Sequence, residues 1–107
     1  MEIRQVKYDE LLKIESLFQS VYGRSQGVYY WRWCFDTLYG YLPMGMFDGD
    51  KLVSYMAAVL LEKGAILYSS MTDPEYRGMG YFWKTSTRLY EELSKYRDWC
   101  CFYSSNL

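Results

Sequence analysis

No histidine occurs in the 107 residues. That excludes a Ser-His-Asp triad, a Cys-His dyad and any metal site built on imidazole. Proton transfer must run through carboxylates, Tyr, Cys, Lys, water or the substrate itself. Cysteine is scarce and poorly spaced: Cys34, Cys100 and Cys101 are odd in number, two are adjacent, and no C-x-x-C occurs. Neither a disulfide framework nor a zinc site is expected, and Cys100 and Cys101, set in an apolar run, read as buried free thiols. A basic excess is also missing. Twelve Lys and Arg face 13 Asp and Glu, a net charge of −1, which argues against a nucleic-acid-binding surface. The apolar run Leu52 to Leu61 is far shorter than the ~20 residues of a membrane span. Met1-Glu2-Ile3-Arg4 does not open a signal peptide, so a reducing, cytoplasmic location is the expectation.

What is abundant is aromatic. Aromatic residues make up 21% of the chain, with 13 Tyr and 4 Trp, and apolar residues make up 50%. Basic residues are not interleaved with the aromatics, so these predict a small core filled by large side chains rather than a base-stacking platform. The length supports one small domain and excludes a two-domain enzyme.

Glu2 to Lys7 reads as a first strand. Leu11, Ile14, Phe18 and Val21 fall at helical spacing within a helix over Tyr8 to Tyr22, with Asp9 as N-cap and Gly23 as its end. Tyr29 to Leu38 is a second, aromatic-rich helix closed by Gly40; its Tyr29-Tyr30-Trp31-Arg32-Trp33 stripe suits core or lid packing. Strands are predicted over Tyr41 to Phe47 and Lys51 to Glu62, joined by an Asp48-Gly49-Asp50 turn. A further strand, Ala65 to Thr72, is stopped by Asp73-Pro74, because Pro removes a ladder donor. Gly78 to Arg97 carries Phe82, Thr85, Leu89, Leu93 and Tyr96 on one helical face. Trp99 to Tyr103 is a continuous apolar run, the pattern of a strand buried on both faces of a parallel sheet. The order β-α-α-β-β-β-α-β thus ends in a strand-helix-strand crossover, which must be parallel and right-handed. The fold class is α/β with a mixed sheet.

The segment before the third helix carries the chemistry. Gly78 and Gly80 stand beside Arg77 at the start of that helix. A helix N-terminus presents unpaired N–H groups and a positive dipole end, and glycine lets an anion approach the backbone. Those residues suit a phosphate or pyrophosphate. A tight turn that binds nothing has the same spacing. The segment is neither a Walker A loop nor a full G-x-G-x-x-G.

Pro74-Glu75-Tyr76-Arg77-Gly78-Met79-Gly80-Tyr81-Phe82 resembles the acetyl-CoA-binding signature of the GNAT superfamily of N-acetyltransferases, [RQ]-x-x-G-x-[GA]. Arg77 and Gly80 match it, and Phe82 replaces the last small residue. Trp33 to Val53 and the order of elements are similar to the superfamily's first two-thirds. The resemblance implies a GNAT-like acyltransferase fold with acetyl-CoA as co-substrate and no metal. It implies that backbone groups near Met71 and Thr72 meet the pantetheine arm and thioester. The N–H groups of Arg77, Gly78, Met79, Gly80, Tyr81 and Phe82 would hold the pyrophosphate. Asn106 falls where family members often place an Asn against the cofactor. The implied reaction is direct acetyl transfer to a primary amine, for which Glu62 and Asp73 are the carboxylates weighed as base. As residues they read first as solvated turn positions. Lys84 and Arg88, one turn apart, either reach a cofactor phosphate or form a solvated face.

A GNAT domain normally continues past the strand at Trp99 to Tyr103 with another helix and a hairpin. Residues 1–107 therefore read as a single, incomplete domain whose last strand needs a further segment or a second copy of the chain to cover it. The alternative to an enzyme is a non-catalytic GNAT-like remnant or subunit acting in oligomerisation. The acceptor amine cannot be read from these residues.

Overall fold

The computed structural model describes residues 1–102. Its five strands are β1 (Glu2–Gln5), β2 (Tyr41–Asp48), β3 (Lys51–Leu60), β4 (Gly64–Thr72) and β5 (Trp99–Phe102). They form one sheet in the order β1-β2-β3-β4-β5. The first three pairings are antiparallel, and β4 with β5 is parallel, as the crossover requires. The helices are α1 (Leu11–Tyr22), α2 (Val28–Thr37) and α3 (Tyr81–Leu93). Among the described residues, no helix is long and apolar enough to cross a membrane.

The continuous apolar run in β3 reflects a sheet covered on both faces. Tyr55 and Ala57 point into a core shared with Ile14, Leu17 and Phe18 of α1 and Trp31 of α2. Met56 and Ala58, between and beyond them, point the other way, into a core with Leu89 and Leu93 of α3. The period-two alternation of the strand thus assigns α1 and α2 to one face and α3 to the other.

Four expectations are corrected. Asp9 does not cap the first helix: Tyr8–Glu10 forms a 3-10 turn, and the Glu10 carboxylate accepts from the Lys7 backbone N–H at 2.9 Å. The third helix starts at Tyr81 rather than Gly78, because Gly80 takes the left-handed conformation (φ 78°) that a helix cannot continue. Phe82, in the first turn, and Tyr96, past the helix end at Leu93, are both exposed, and the buried face is made by Thr85, Ser86, Leu89 and Leu93. Among the described residues β5 has no partner strand beyond β4, and Trp99, Cys100 and Cys101 are exposed rather than buried on both faces. Tyr103 lies outside the described residues. Cys34, by contrast, is a buried free thiol.

Candidate functional site

The site is built at the C-terminal end of β4. Pairing to β5 runs from Gly64↔Trp99 to Leu67↔Phe102. β4 continues for five more residues, and among the described residues no strand pairs with it on that side. On its other side the register slips: Ala57 faces Tyr68 and Tyr55 faces Met71, so Met56 is opposed by both Ser69 and Ser70. Ser69 sits at φ 58°, an uncommon value for a residue with a Cβ. This is a β-bulge, which re-aims the strand where it leaves its parallel neighbour.

Past Thr72 the chain turns through a 3-10 segment, Pro74–Tyr76. Asp73 holds that turn. Its backbone N–H donates to Val53 O (2.8 Å), its Oδ1 accepts from the Glu75 N–H (2.9 Å), and its Oδ2 pairs with Lys51 Nζ (3.3 Å). The hydrogen bond and charge of Asp73 raise the Lys51 pKa. The Tyr76 hydroxyl donates to Asp48 Oδ2 at 2.8 Å, which ties the turn to the β2–β3 hairpin. The Arg77 guanidinium folds back and donates to the Thr72 carbonyl at 3.1 Å, closing the loop across its mouth.

Gly78 and Gly80 both have positive φ, 80° and 78°. A Cβ built on either would meet nothing within 4 Å, so open space lies in front of this backbone. Gly80 caps α3 without any side-chain hydrogen bond, and the first helical bond is Lys84 N–H to Gly80 O at 3.0 Å. The N–H groups of the first helical turn therefore have no intrahelical acceptor and carry the positive end of a 13-residue helix. Met79 and Phe82 are exposed beside them, and the Tyr81 ring packs on Tyr76 with centroids 6.2 Å apart. Those residues fit an anionic group such as a pyrophosphate.

The structure brings together Met71, Thr72 and the stretch from Arg77 to Phe82. The Met71 side chain is buried in the α1–α2 core, so only its backbone faces this corner. Glu62 is not brought here: it lies in the exposed β3–β4 turn, at the other end of β4. Asp73 is here, but both carboxylate oxygens are engaged in holding the loop. Lys84 is exposed with its Nζ 5.9 Å from the Tyr81 ring centre, and Arg88 pairs with Glu92 at 3.7 Å. Asn106 lies outside the described residues.

Sequence reading missed one constellation. Tyr30 and Cys34 of α2, Tyr41 of β2, Tyr55 of β3 and Tyr68 of β4 converge on the α1–α2 face beside Ser69. The Tyr41 and Tyr55 hydroxyls hydrogen-bond each other, and the Tyr41 and Tyr68 rings lie 6.4 Å apart. Burial pushes the Cys34 thiol up against the opposing influence of the Tyr30, Tyr68 and Tyr41 hydroxyls. Burial likewise pushes the phenols of Tyr41, Tyr55 and Tyr68 up. A signal was present in the polar pair Ser69-Ser70 inside an otherwise apolar strand.

A mixed five-stranded sheet, two helices on one face, a crossover helix on the other, a bulge where β4 leaves β5 and a glycine turn opening α3 together make the GNAT acetyltransferase fold. No protein-family model matches the chain, and no curated protein matches it. Solved structures do. The ribosomal-protein-S18-alanine N-acetyltransferase of Escherichia coli superposes on 88% of this chain with a TM-score of 0.77 at 17% identity. An aminoglycoside 6'-N-acetyltransferase complexed with coenzyme A does so over 89%, with a TM-score of 0.77 at 14% identity. The chain spans 59% and 56% of those two proteins. An acetyltransferase of Trypanosoma brucei matches over 98% of this chain and 83% of its own, with a TM-score of 0.79 at 17% identity.

Proposed function

We propose that this chain binds an acyl-coenzyme A thioester at the corner between β4 and α3 and transfers the acyl group to a primary amine. One observation carries the reading: the uncapped, unobstructed backbone around Gly78 and Gly80 at the start of α3. The N–H groups from Arg77 to Phe82 take the pyrophosphate, and the dipole of α3 favours its charge. The β5-facing side of β4 at Met71 and Thr72, which no strand pairs among the described residues, receives the pantetheine arm as an added strand would, and an N–H there stabilises the oxyanion of the transfer. The coenzyme A in the aminoglycoside acetyltransferase supports the fit of such a ligand to the fold.

In the reaction, the amine nitrogen forms a bond to the acyl carbon and the carbon–sulfur bond breaks. Sulfur leaves with the electron pair and gains one proton, and the amine loses one. Asp73 is committed to its loop and Glu62 stands at the far end of β4, so the amine proton passes to water. The free thiols among the described residues suit a reducing compartment, and the cytoplasm is the proposed location.

Calorimetric titration with coenzyme A tests the reading. Binding with a 1:1 stoichiometry is expected, and no heat up to millimolar ligand overturns it. The second reading, a module serving in association, is favoured by β5, whose outer edge carries exposed Trp99, Cys100 and Cys101 and has no partner strand among the described residues. Light scattering that shows a stable dimer, together with a failure to bind coenzyme A, would support it.

A further inference from the structure

The tyrosine cluster contains a polar atom that the fold satisfies poorly. The Tyr68 hydroxyl is shut off from solvent and, among the described residues, makes no well-formed hydrogen bond; its polar neighbour is the Cys34 thiol, a weak donor and acceptor. Buried hydroxyls are normally paired, and one left with only a weak partner points to a group that arrives from outside. The neighbouring Tyr41 hydroxyl bonds to Tyr55 and makes no hydrogen bond to Tyr68. Tyr68 lies at the bulge, next to Ser69, where β4 leaves β5. Tyr30 and Ser69 beside it are only partly buried, so the cluster has a way out to solvent. The pyrophosphate loop begins after Thr72, four residues along the same strand, about 13 Å away at the rise of a strand.

The chemistry of the cluster is uncharged. The largest influences on Tyr30, Tyr41, Tyr55, Tyr68 and Cys34 are burial and one another's hydroxyls and thiol, not a carboxylate or an ammonium. Phenol oxygens and ring faces offer electron density to an N–H group or a cation. They offer no cation to a carboxylate, which would be desolvated there without a partner.

We infer that this cluster is the acceptor end of the site and takes an amine whose arm carries no carboxylate, the Tyr68 hydroxyl accepting a hydrogen bond from the amino group. The inference rests on the acyl-coenzyme A reading and deepens it.

The test uses acetyl-CoA with propylamine and β-alanine, which present the same kind of aliphatic amine without and with a terminal carboxylate, and putrescine as a longer arm. Propylamine and putrescine are expected to turn over with kcat/KM at least about tenfold above β-alanine, the scale of one unpaired buried group. Tyr68→Phe, which removes one oxygen, should raise the amine KM about tenfold, the loss of one hydrogen bond, and leave the coenzyme A Kd within about twofold. Tyr30→Phe serves as a second probe of the cluster and should shift the amine KM in the same direction. Equal use of propylamine and β-alanine overturns the inference, as does an unchanged amine KM in both variants. So does a coenzyme A-loaded protein that neither binds nor acetylates any of the three amines, a result that leaves the coenzyme A reading standing. Failure to bind coenzyme A at all overturns that reading, and this inference with it.

Discussion

The indole N–H of Trp31 on α2 donates to Oε1 of Glu15 on α1 at 2.9 Å, inside the core. The same carboxylate accepts from the Gly27 N–H (2.9 Å), the Ser25 hydroxyl (2.8 Å) and the Gln19 amide (2.8 Å). One buried anion thus gathers both helices and the loop between them. Burial raises the Glu15 pKa, and the four donors outweigh it, so the net shift is downward.

Removing that anion should be expensive. Glu15→Ala leaves the buried Trp31 N–H and the half-buried Gly27 N–H without an acceptor, and a loss of about 3 kcal/mol is expected. Glu15→Gln keeps the shape and an acceptor oxygen and should cost less. Urea unfolding with an unchanged m-value is the check.

Arg4 and Glu10 set an acid limit. Two hydrogen bonds of 2.8 Å join them, and these, against the cost of burial, lower Glu10 from the ordinary 4.5 to about 2. A depressed carboxylate stabilises the fold fully above its unfolded pKa and loses that stabilisation as pH falls through the folded one. This pair should therefore contribute a drop in stability on the order of 2 kcal/mol between pH about 4.5 and about 2, and Glu10→Gln should lack that part while keeping the part due to Glu15. Thermal melts across that range measure it.

The glycine cradle predicts a ligand-dependent melting temperature. Coenzyme A at ~100 times its Kd should add about 2.7 kcal/mol, or roughly 10 °C for a domain of this size. Gly80→Asp places a Cβ at φ 78° and a negative charge where the pyrophosphate is to sit. It should abolish the shift at a stability cost of about 1 kcal/mol from the strained backbone. A retained shift would show that the ligand sits elsewhere.

The two carboxylates near the ends of β4 should separate cleanly. Asp73→Ala removes the acceptor of Glu75 and the partner of Lys51, and should destabilise by about 1–2 kcal/mol. Glu62→Gln, in an exposed turn, should change neither stability nor kcat. A large fall in kcat with Glu62→Gln would refute the placement of the chemistry at the other end of the strand.

Local chemistry made much of this legible. The Asp48-Gly49-Asp50 hairpin, the stop at Pro74, the crossover to a parallel β5 and the glycine pair beside Arg77 all follow from rules that act within a few residues or on connection handedness. The errors came where neighbours decide. Phe82 shares a helical period with Leu89, yet it is exposed, because α3 begins only at Tyr81 and Phe82 stands in its first turn beside the open glycine loop. Cys100 and Cys101 look like core residues by composition, yet both are exposed, on a strand that among the described residues has β4 as its single partner.

By itself the sequence determined the order of elements, the apolar character of β3 and the backbone freedom at Gly78 and Gly80. Each depends on residues adjacent in the chain or on a period the helix and strand impose. Only the tertiary structure decided that Asp73 is bound up in its loop, that Glu62 stands at the far end, and that Tyr68 faces Cys34 and Tyr41 with its hydroxyl unmatched. Those facts depend on side chains from three strands and a helix meeting in space. The register slip at Ser69 helps bring them together, and the polar Ser69-Ser70 pair marks its place along the chain without fixing which side chains meet there.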